Sequence, residues 1–358
     1  MATRVWRGDA PAVAQVDTLT VGGTIEVGDL FNTIINGKTV QVAATTTSTT
    51  TTASEIKTAL AASTIPEFLE ITWTQAAAVV TGTAATAGKP FTVTVTTTEA
   101  GGGAADLQTY VRAASVASSG PKHWDVAANW TGAAVPVSTD TVIFDHGSAD
   151  CLYGLGQSAV TLTLLEFRQG WTGRLGLPRV NADDAAKTYE EYRTHYLQIG
   201  ATDIKGGLGD GNGSGRIKID TGAVATTINV ENTGQPAESG VPAFLWKGTH
   251  AANVLNVDKG SVGIAFFAAE LTVAETATLA TLRVGYLTNR VGDADVKLGD
   301  GCTLTTVTQT GGKLLLQDTT TLIELVGGGE CTVMDGAHTT ITIDAGTVKY
   351  NGTGTITA

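Results

Sequence analysis

The sequence predicts a mostly β protein: an arm over residues 1–16, a small sheet domain with one helix over residues 17–120, and a right-handed single-stranded β-helix (β-solenoid) over residues 121–358. Three observations lead there. Only 16% of the 358 residues are charged, against about 25% in an ordinary soluble domain. Threonine, valine and glycine are used heavily instead; the first two suit a pleated surface and glycine permits tight corners. The last third then repeats a short apolar stretch closed by one acidic residue. LNVDKG places Asp258, LTVAET Glu275, VKLGDG Asp300, LLLQDT Asp318 and TVMDGA Asp335, at spacings of 17, 25, 18 and 17 residues. A strand and turn that return at a near-constant interval mark stacked coils, where each rung buries its apolar positions against its neighbours.

The elements follow in order. Residues 1–16 hold few apolar groups beyond Val5, Trp6 and Val13 and read as an arm that a partner orders. TLTVGG opens the sheet domain, and the Asn36-Gly37 turn of TIINGKTVQVAA, set between two apolar runs, signals a hairpin. The threonine tract Thr45 to Thr52 leads into a helix. Thr52 and Glu55 are spaced as a capping box, and Ile56, Ala59 and Leu60 share one face. In FLEITWT and PFTVTVTT, the pairs Ile71/Trp73 and Phe91/Val93/Val95 alternate as half-buried strands do. Breakers at Gly101 to Gly103 and Ser118 to Pro121 bracket a last strand near Tyr110 and put a boundary near residue 120. Beyond it, Trp124 and Trp130 precede the strand TVIF, and the segment from Trp124 to Phe144 is expected to act as a lid on the first coil. VTLTLLEF continues the strands, a polar excursion runs from about Pro178 to His195, and the glycine-rich GGLGDGNGSG spans Gly206 to Gly215. From Arg216 onward the rung pattern dominates.

Composition excludes several function classes. A net charge of −12 is the wrong sign for a nucleic-acid groove, which needs clustered Lys and Arg. Cys151, Cys302 and Cys331 are odd in number, far apart and without metal-site spacing, so they read as small buried hydrophobes. No apolar run reaches the length of a membrane span, and the opening MATRVWRGDAPAV lacks a hydrophobic signal core. Synthesis in a cytoplasm is the expectation.

Two stretches carry a resemblance. The segment from GDLFNTIINGKTVQVAA through the helix to FLEITWTQAAAVVTG and AGKPFTVTV resembles a small module that recurs in structural proteins of tailed bacteriophages. HWDVAANWTGAAVPVSTDTVIFD is similar to the tryptophan and "NW…P…D.V.F" opening of β-helical domains in phage virion proteins and some bacterial surface proteins. Together they span roughly residues 17 to 165. What the resemblance implies is a virion component, a capsid decoration (cement) protein on the capsid surface. It would be a homotrimer that binds the major capsid protein and is made in the host cytoplasm. The chain shows no collagen-like or heptad repeat, which speaks against a long tail fibre. The rival reading is a tailspike or receptor-binding protein that binds or cleaves host glycans. A bacterial surface adhesin is a third, disfavoured by the missing export signal.

Attachment to a partner is expected through Val5, Trp6 and Arg7, because an exposed tryptophan in an unstructured start calls for something to bury it. No catalytic, cofactor or metal site is expected. Glycan hydrolysis needs two acids roughly 5 to 9.5 Å apart. The tight acidic groupings are Asp183/Asp184, Glu190/Glu191 and Asp293/Asp295, and Tyr189, Tyr192, His195 and Tyr196 adjoin the second. Neighbouring residues on a strand face opposite ways, so Glu190 and Glu191 would not cooperate. The excursion is therefore expected to be solvated and to contact a neighbouring subunit. GGLGDGNGSG matches a calcium-binding nonapeptide one residue out of register and only once, and reads as a loop. Arg7-Gly8-Asp9 spells a cell-attachment tripeptide of a length that chance supplies, the turn acids are expected to bond their own backbone, and the five histidines show no ligand spacing.

Overall fold

The computed structural model describes residues 1–100, 107–185, 187–207, 216–233, 241–266, 275–285, 294–317, 320–334 and 338–351. The chain divides into two compact units. Met1–Gly8, Trp124–Leu177 and Thr194–Ala358 make one, and Asp9–His123 with Pro178–Arg193 make the other. Both are mostly strand, with one α-helix among the described residues.

The first unit is a large parallel sheet that winds on itself in a solenoid-like manner. Its later strands alternate between two columns. One holds Thr227–Asn232, Val254–Val257, Ala277–Val284, Cys302–Gln309 and Thr320–Leu325; the other holds Phe244–Lys247, Gly260–Ile264, Ala294–Leu298, Lys313–Leu316 and Glu330–Val333. Each strand pairs in parallel with the strand two positions along the chain. Parallel neighbours need a crossover between them, and here the other column supplies it. The register places Leu165, Ile204, Ile228, Leu255, Leu282, Val307 and Ile323 one above another, all fully buried. From Ile228 onward these stacked residues are 27, 27, 25 and 16 positions apart. The interval of about 17 residues read from the acidic positions is thus the turn length of the last rungs only. Earlier turns are longer because they carry long connections, such as the one from Ile264 to Ala277.

The first rungs are closed by an aromatic cap, as the segment from Trp124 to Phe144 predicts. Trp6, Trp124, Trp130, Phe144, Phe167 and Trp171 are all buried in one core. Trp130 packs edge-on to both Trp124 and Trp6, with ring centroids 4.6 and 4.9 Å apart, and Phe144 stacks on Phe167 at 5.1 Å. The resemblance-bearing residues have clear work here. Val142 and Phe144 point inward, while Asp140 accepts from the backbone N–H of Ala2 at 2.7 Å and Val137 at 3.3 Å and from Arg4 Nε at 3.4 Å.

Of the segment read as an arm, Met1–Gly8 is part of the capped unit and Asp9–Val16 belongs to the other unit. Thr3–Val5 is a strand that pairs in parallel with Thr141–Ile143, and Trp6 is only 3% exposed. The sequence could not reveal this, because three residues with one tryptophan show no periodicity; their partner strand lies 138 residues away.

The second unit contains two antiparallel sheets. One has the order Ile71–Ala76, Val79–Ala84, Val16–Gly23, Gln108–Val116; the other has the order Lys38–Ala43, Leu30–Ile35, Thr94–Thr98. Asn36 and Gly37 both take positive φ, 52° and 71°, which makes the tight hairpin between Leu30–Ile35 and Lys38–Ala43. The helix Thr49–Ala61 buries Thr52, Ala53, Ile56 and Leu60. Its cap differs from expectation: Ser48, not Thr52, is the N-cap and accepts from Thr51 N–H, and Glu55 binds Thr45 in the preceding loop. Ser48 lies one turn before Thr52, so capping there lets one more turn of helix form.

Candidate functional site

Two places in the molecule gather charged or exposed groups that local packing does not demand, and they are built very differently. The first is the N-terminal strand. Of the three residues expected to attach a partner, Trp6 faces inward: its indole N–H donates to Ala149 O at 3.0 Å, so the chain itself buries the ring. Val5 is half-buried, its N–H held by Thr131 Oγ1 at 2.8 Å, and Arg7 is exposed while its backbone N–H bonds Asn129 O.

The second place is the excursion, which belongs to the unit of the antiparallel sheets. Val180–Asn181 and Tyr189–Glu190 form a two-stranded ribbon. The adjacent acids diverge as strand geometry requires. Glu190 is exposed beside Arg179 at 3.3 Å, whereas Glu191 is buried and takes two bonds from Arg193 Nη1 at 2.8 and 3.0 Å and one from Asn181 at 3.1 Å. Burial opposes ionisation of Glu191, but Arg193 and the hydrogen bonds outweigh it and hold its carboxyl below the usual range. A carboxyl held ionised in this way is a poor general acid.

Arg193 is the centre of this region. Nearly all of its side chain is buried, and it donates to Pro90 O at 2.6 Å, Glu70 at 2.9 Å, Tyr189 Oη at 3.0 Å and Tyr192 Oη at 3.1 Å. Its guanidinium also lies 4.5 Å from the Tyr192 ring centroid. The tyrosines are thus consumed in holding an arginine and offer no open platform. Burial, the largest influence, pushes the Tyr192 hydroxyl up to about 12. Lys89 sits next to this arginine's partner, bonding Glu70, and also Asp183 at 3.0 Å. Above these residues opens a cleft of about 350 Å³.

Tyr196 belongs to the coil. Its hydroxyl donates to Glu275 at 2.8 Å, and Lys247 lies 3.5 Å from the same carboxylate and 4.5 Å from the Tyr196 ring. Glu275 is therefore a long-range strut rather than a turn acid bonded to its own backbone, and its length relative to aspartate is what allows the reach. Lys218, in the same strand column, bonds Leu177 O, and burial lowers its ammonium to about 8. Asp300 is an exposed turn residue. Asp293, Asp318, Asp335 and residues 208–215 of the glycine-rich loop lie outside the described residues. Among the described residues no three His, Cys, Asp or Glu side chains group as a metal site, and all three cysteines are buried.

Comparison with family models, curated proteins and solved structures finds no match for this chain. Lys89, Glu70 and Arg193 were not legible as a group in the sequence, being up to 123 positions apart. The one available signal was an arginine within two residues of paired acids and tyrosines in an otherwise polar stretch.

Proposed function

We propose that the chain is a non-enzymatic structural protein of a tailed-bacteriophage virion. In this reading it is a capsid decoration protein that binds the major capsid protein on the shell surface as a homotrimer, after synthesis in the host cytoplasm. The observation that carries the reading is the capped winding sheet. Its first rungs are sealed by the residues that resemble the opening of phage β-helical domains, Trp130, Pro136, Asp140, Val142 and Phe144. A coil whose strands pair in register over many rungs is stiff, and stiffness suits a part that must hold its place on a lattice. The same reading takes the coil to be a right-handed single-stranded β-helix and residues 17–120 to be a separate small domain. Attachment through the N-terminal strand then falls to Arg7 and the edge of Val5, with Trp6 fixing their geometry from beneath. The tailspike alternative that cleaves glycans has less support, because Glu190 and Glu191 have unlike environments and Glu191 is committed to Arg193.

Co-sedimentation of the purified protein with shells assembled from a tailed-phage major capsid protein tests the reading, with light scattering at several concentrations for the oligomer. Saturable binding by a trimer is expected. Absence of binding overturns the virion assignment, and a stable monomer overturns the trimer. Release of oligosaccharide from host envelope polysaccharide would favour the tailspike instead.

A further inference from the structure

We infer that the strand Gln108–Val116 is an interface between copies of this chain, in which two such strands pair antiparallel about a two-fold axis through Ala113. This does not rest on the virion reading; it follows from an unpaired strand edge whose side chains complement themselves. Among the described residues Gln108–Val116 is the last strand of its sheet, with Val16–Gly23 on one side and no strand on the other. Exposed apolar groups gather here, Leu107 at 58%, Val111 at 57% and Val116 at 41%. Gln108 and Tyr110 are buried, the Tyr110 hydroxyl meeting Thr33 Oγ1 at 3.0 Å, whereas every residue from Val111 to Val116 is exposed.

The direction of the backbone shows which groups are free. Val21 N–H bonds Ala78 O and Ala84 N–H bonds Gln15 O, each at 2.9 Å, so the odd-numbered residues of this stretch face the Val79–Ala84 strand. Thr18 and Thr20 then face Ala113 and Val111 across the other ladder. Alternation turns the N–H and C=O of Arg112 and Ala114 outward, where they have no bonding partner among the described residues. Such a row is a template for a further strand. Edges are commonly protected by lysine or proline; from Val111 to Val116 there is neither, and the one charge, Arg112, is neutralised by Asp17 at 2.7 Å.

Register selects a second copy as the occupant. With the outward groups on Arg112 and Ala114, an antiparallel two-fold axis can fall on Arg112, Ala113 or Ala114. On Arg112 it opposes two arginines, and on Ala114 it runs the ladder into the bulge at Ser115. On Ala113 it sets Arg112 of each copy opposite Ala114 of the other, Val111 opposite Ser115, and Ala113 against itself. No like charges are then directly opposed, and the small side chains let the backbones meet. A foreign peptide would have to supply this run of small and apolar groups; a second copy supplies it by symmetry, and an isologous contact closes at two. Buried Tyr110 at one end and the bulge at the other keep the ribbon short, so the contact is weak by the standard of a permanent interface and depends on concentration. Where copies also meet about a threefold axis, it joins six chains.

The test follows the full chain by light scattering from about 1 μM to about 1 mM, with cysteine cross-linking beside it. Mass is expected to double with a Kd of about 0.1 mM, as suits a short contact. Ala113 faces itself in a non-hydrogen-bonded pair, whose Cα atoms lie about 4.5 Å apart and within disulfide reach. All three native cysteines are buried, so Ala113→Cys should give a disulfide-linked pair under mild oxidation. Thr20→Cys, exposed on the same face but one strand further in, should not. Ala113→Glu opposes two carboxylates and should weaken doubling at least about tenfold. Ala114→Pro removes only an outward N–H, so it should keep the parent's circular dichroism and yet fail to double. Constant mass across the range overturns the inference, as does doubling by Ala113→Glu or Ala114→Pro equal to the parent's. Ala113→Cys chains that link no faster than Thr20→Cys chains also overturn it.

Discussion

Replacing Trp6 by alanine separates a structural cap from a partner-seeking arm. A tryptophan buries about 150–250 Å², which at about 25 cal/mol per Å² is worth up to ~4–6 kcal/mol. Trp6 is 3% exposed and packs within 4.9 Å of the Trp130 centroid and 5.8 Å of the Phe144 centroid, in a site whose walls are large rigid rings that collapse poorly. The variant also loses the indole bond to Ala149 O, worth about 1 kcal/mol net. That carbonyl keeps the Trp171 indole at 3.1 Å, so no buried acceptor is orphaned. The expected cost is about 3–5 kcal/mol, typical of core aromatic truncations. Urea unfolding followed by tryptophan fluorescence and far-UV circular dichroism measures it. The exposed neighbour provides a control: Arg7→Ala should fall within about 0.5 kcal/mol of the parent. A Trp6→Ala protein that unfolds within about 1 kcal/mol of the parent, yet loses shell binding, would refute the cap and restore the arm. By the same reasoning, deleting residues 1–16 removes a strand and part of the core, so loss of shell binding in that deletion would report unfolding as much as attachment.

Three further outcomes follow from the geometry. Glu191→Gln removes the more deeply buried of the two carboxylates paired with Arg193 and should destabilise the antiparallel-sheet unit by up to about 3–5 kcal/mol in chemical denaturation. Because the folded-state carboxyl of Glu191 is depressed, its contribution is present above the ordinary carboxylate range and is lost as pH falls below it; a stability profile from pH 7 to pH 3 should show that acid-side loss, and the Gln variant should show less of it. Lys218 has the opposite sign. With its folded value lowered to about 8, the unfolded chain binds more protons between about pH 8 and pH 10.4, so stability should rise across that window, and Lys218→Met should flatten the rise. Gly301→Ala drives a Cβ into the backbone O of Glu275, which no rotamer relieves; a loss of at least about 1–3 kcal/mol is expected by thermal unfolding.

What could be read from the chain, and what could not, divides along one physical line. Patterns written within a few residues were legible. Alternation marked ITWT as a strand, VTLTLLEF read as a further strand, Asn36-Gly37 marked a hairpin, and the segment from Trp124 to Phe144 marked the cap of the coil. The rung period was legible only where the turns are short, from Val307 onward, because the longer connections displace the acidic residues from the strand register. Thr3–Val5 was misread because a strand of three residues carries no period, and its assignment depends on Asp140 and the Thr141–Ile143 backbone. The charged cleft was invisible for the same reason on a larger scale. Arg193, Glu70 and Lys89 come from the excursion, a strand entrance and a loop, and only the fold converts three unremarkable charges into a preorganised floor. The cleft and the coil also answer to different physics. The coil gains from every rung that covers its neighbour, so its residues are apolar, periodic and interchangeable in kind. In the cleft the buried charges are costly unless their partners are present, so each group matters singly: removing Glu191 leaves Glu70 as the carboxylate paired with Arg193, and shortening Lys89 takes one ion pair each from Glu70 and Asp183. Packing alone explains the coil's residues, whereas the four cations around the cleft are held against four carboxylates, Glu70, Asp183, Asp184 and the buried Glu191.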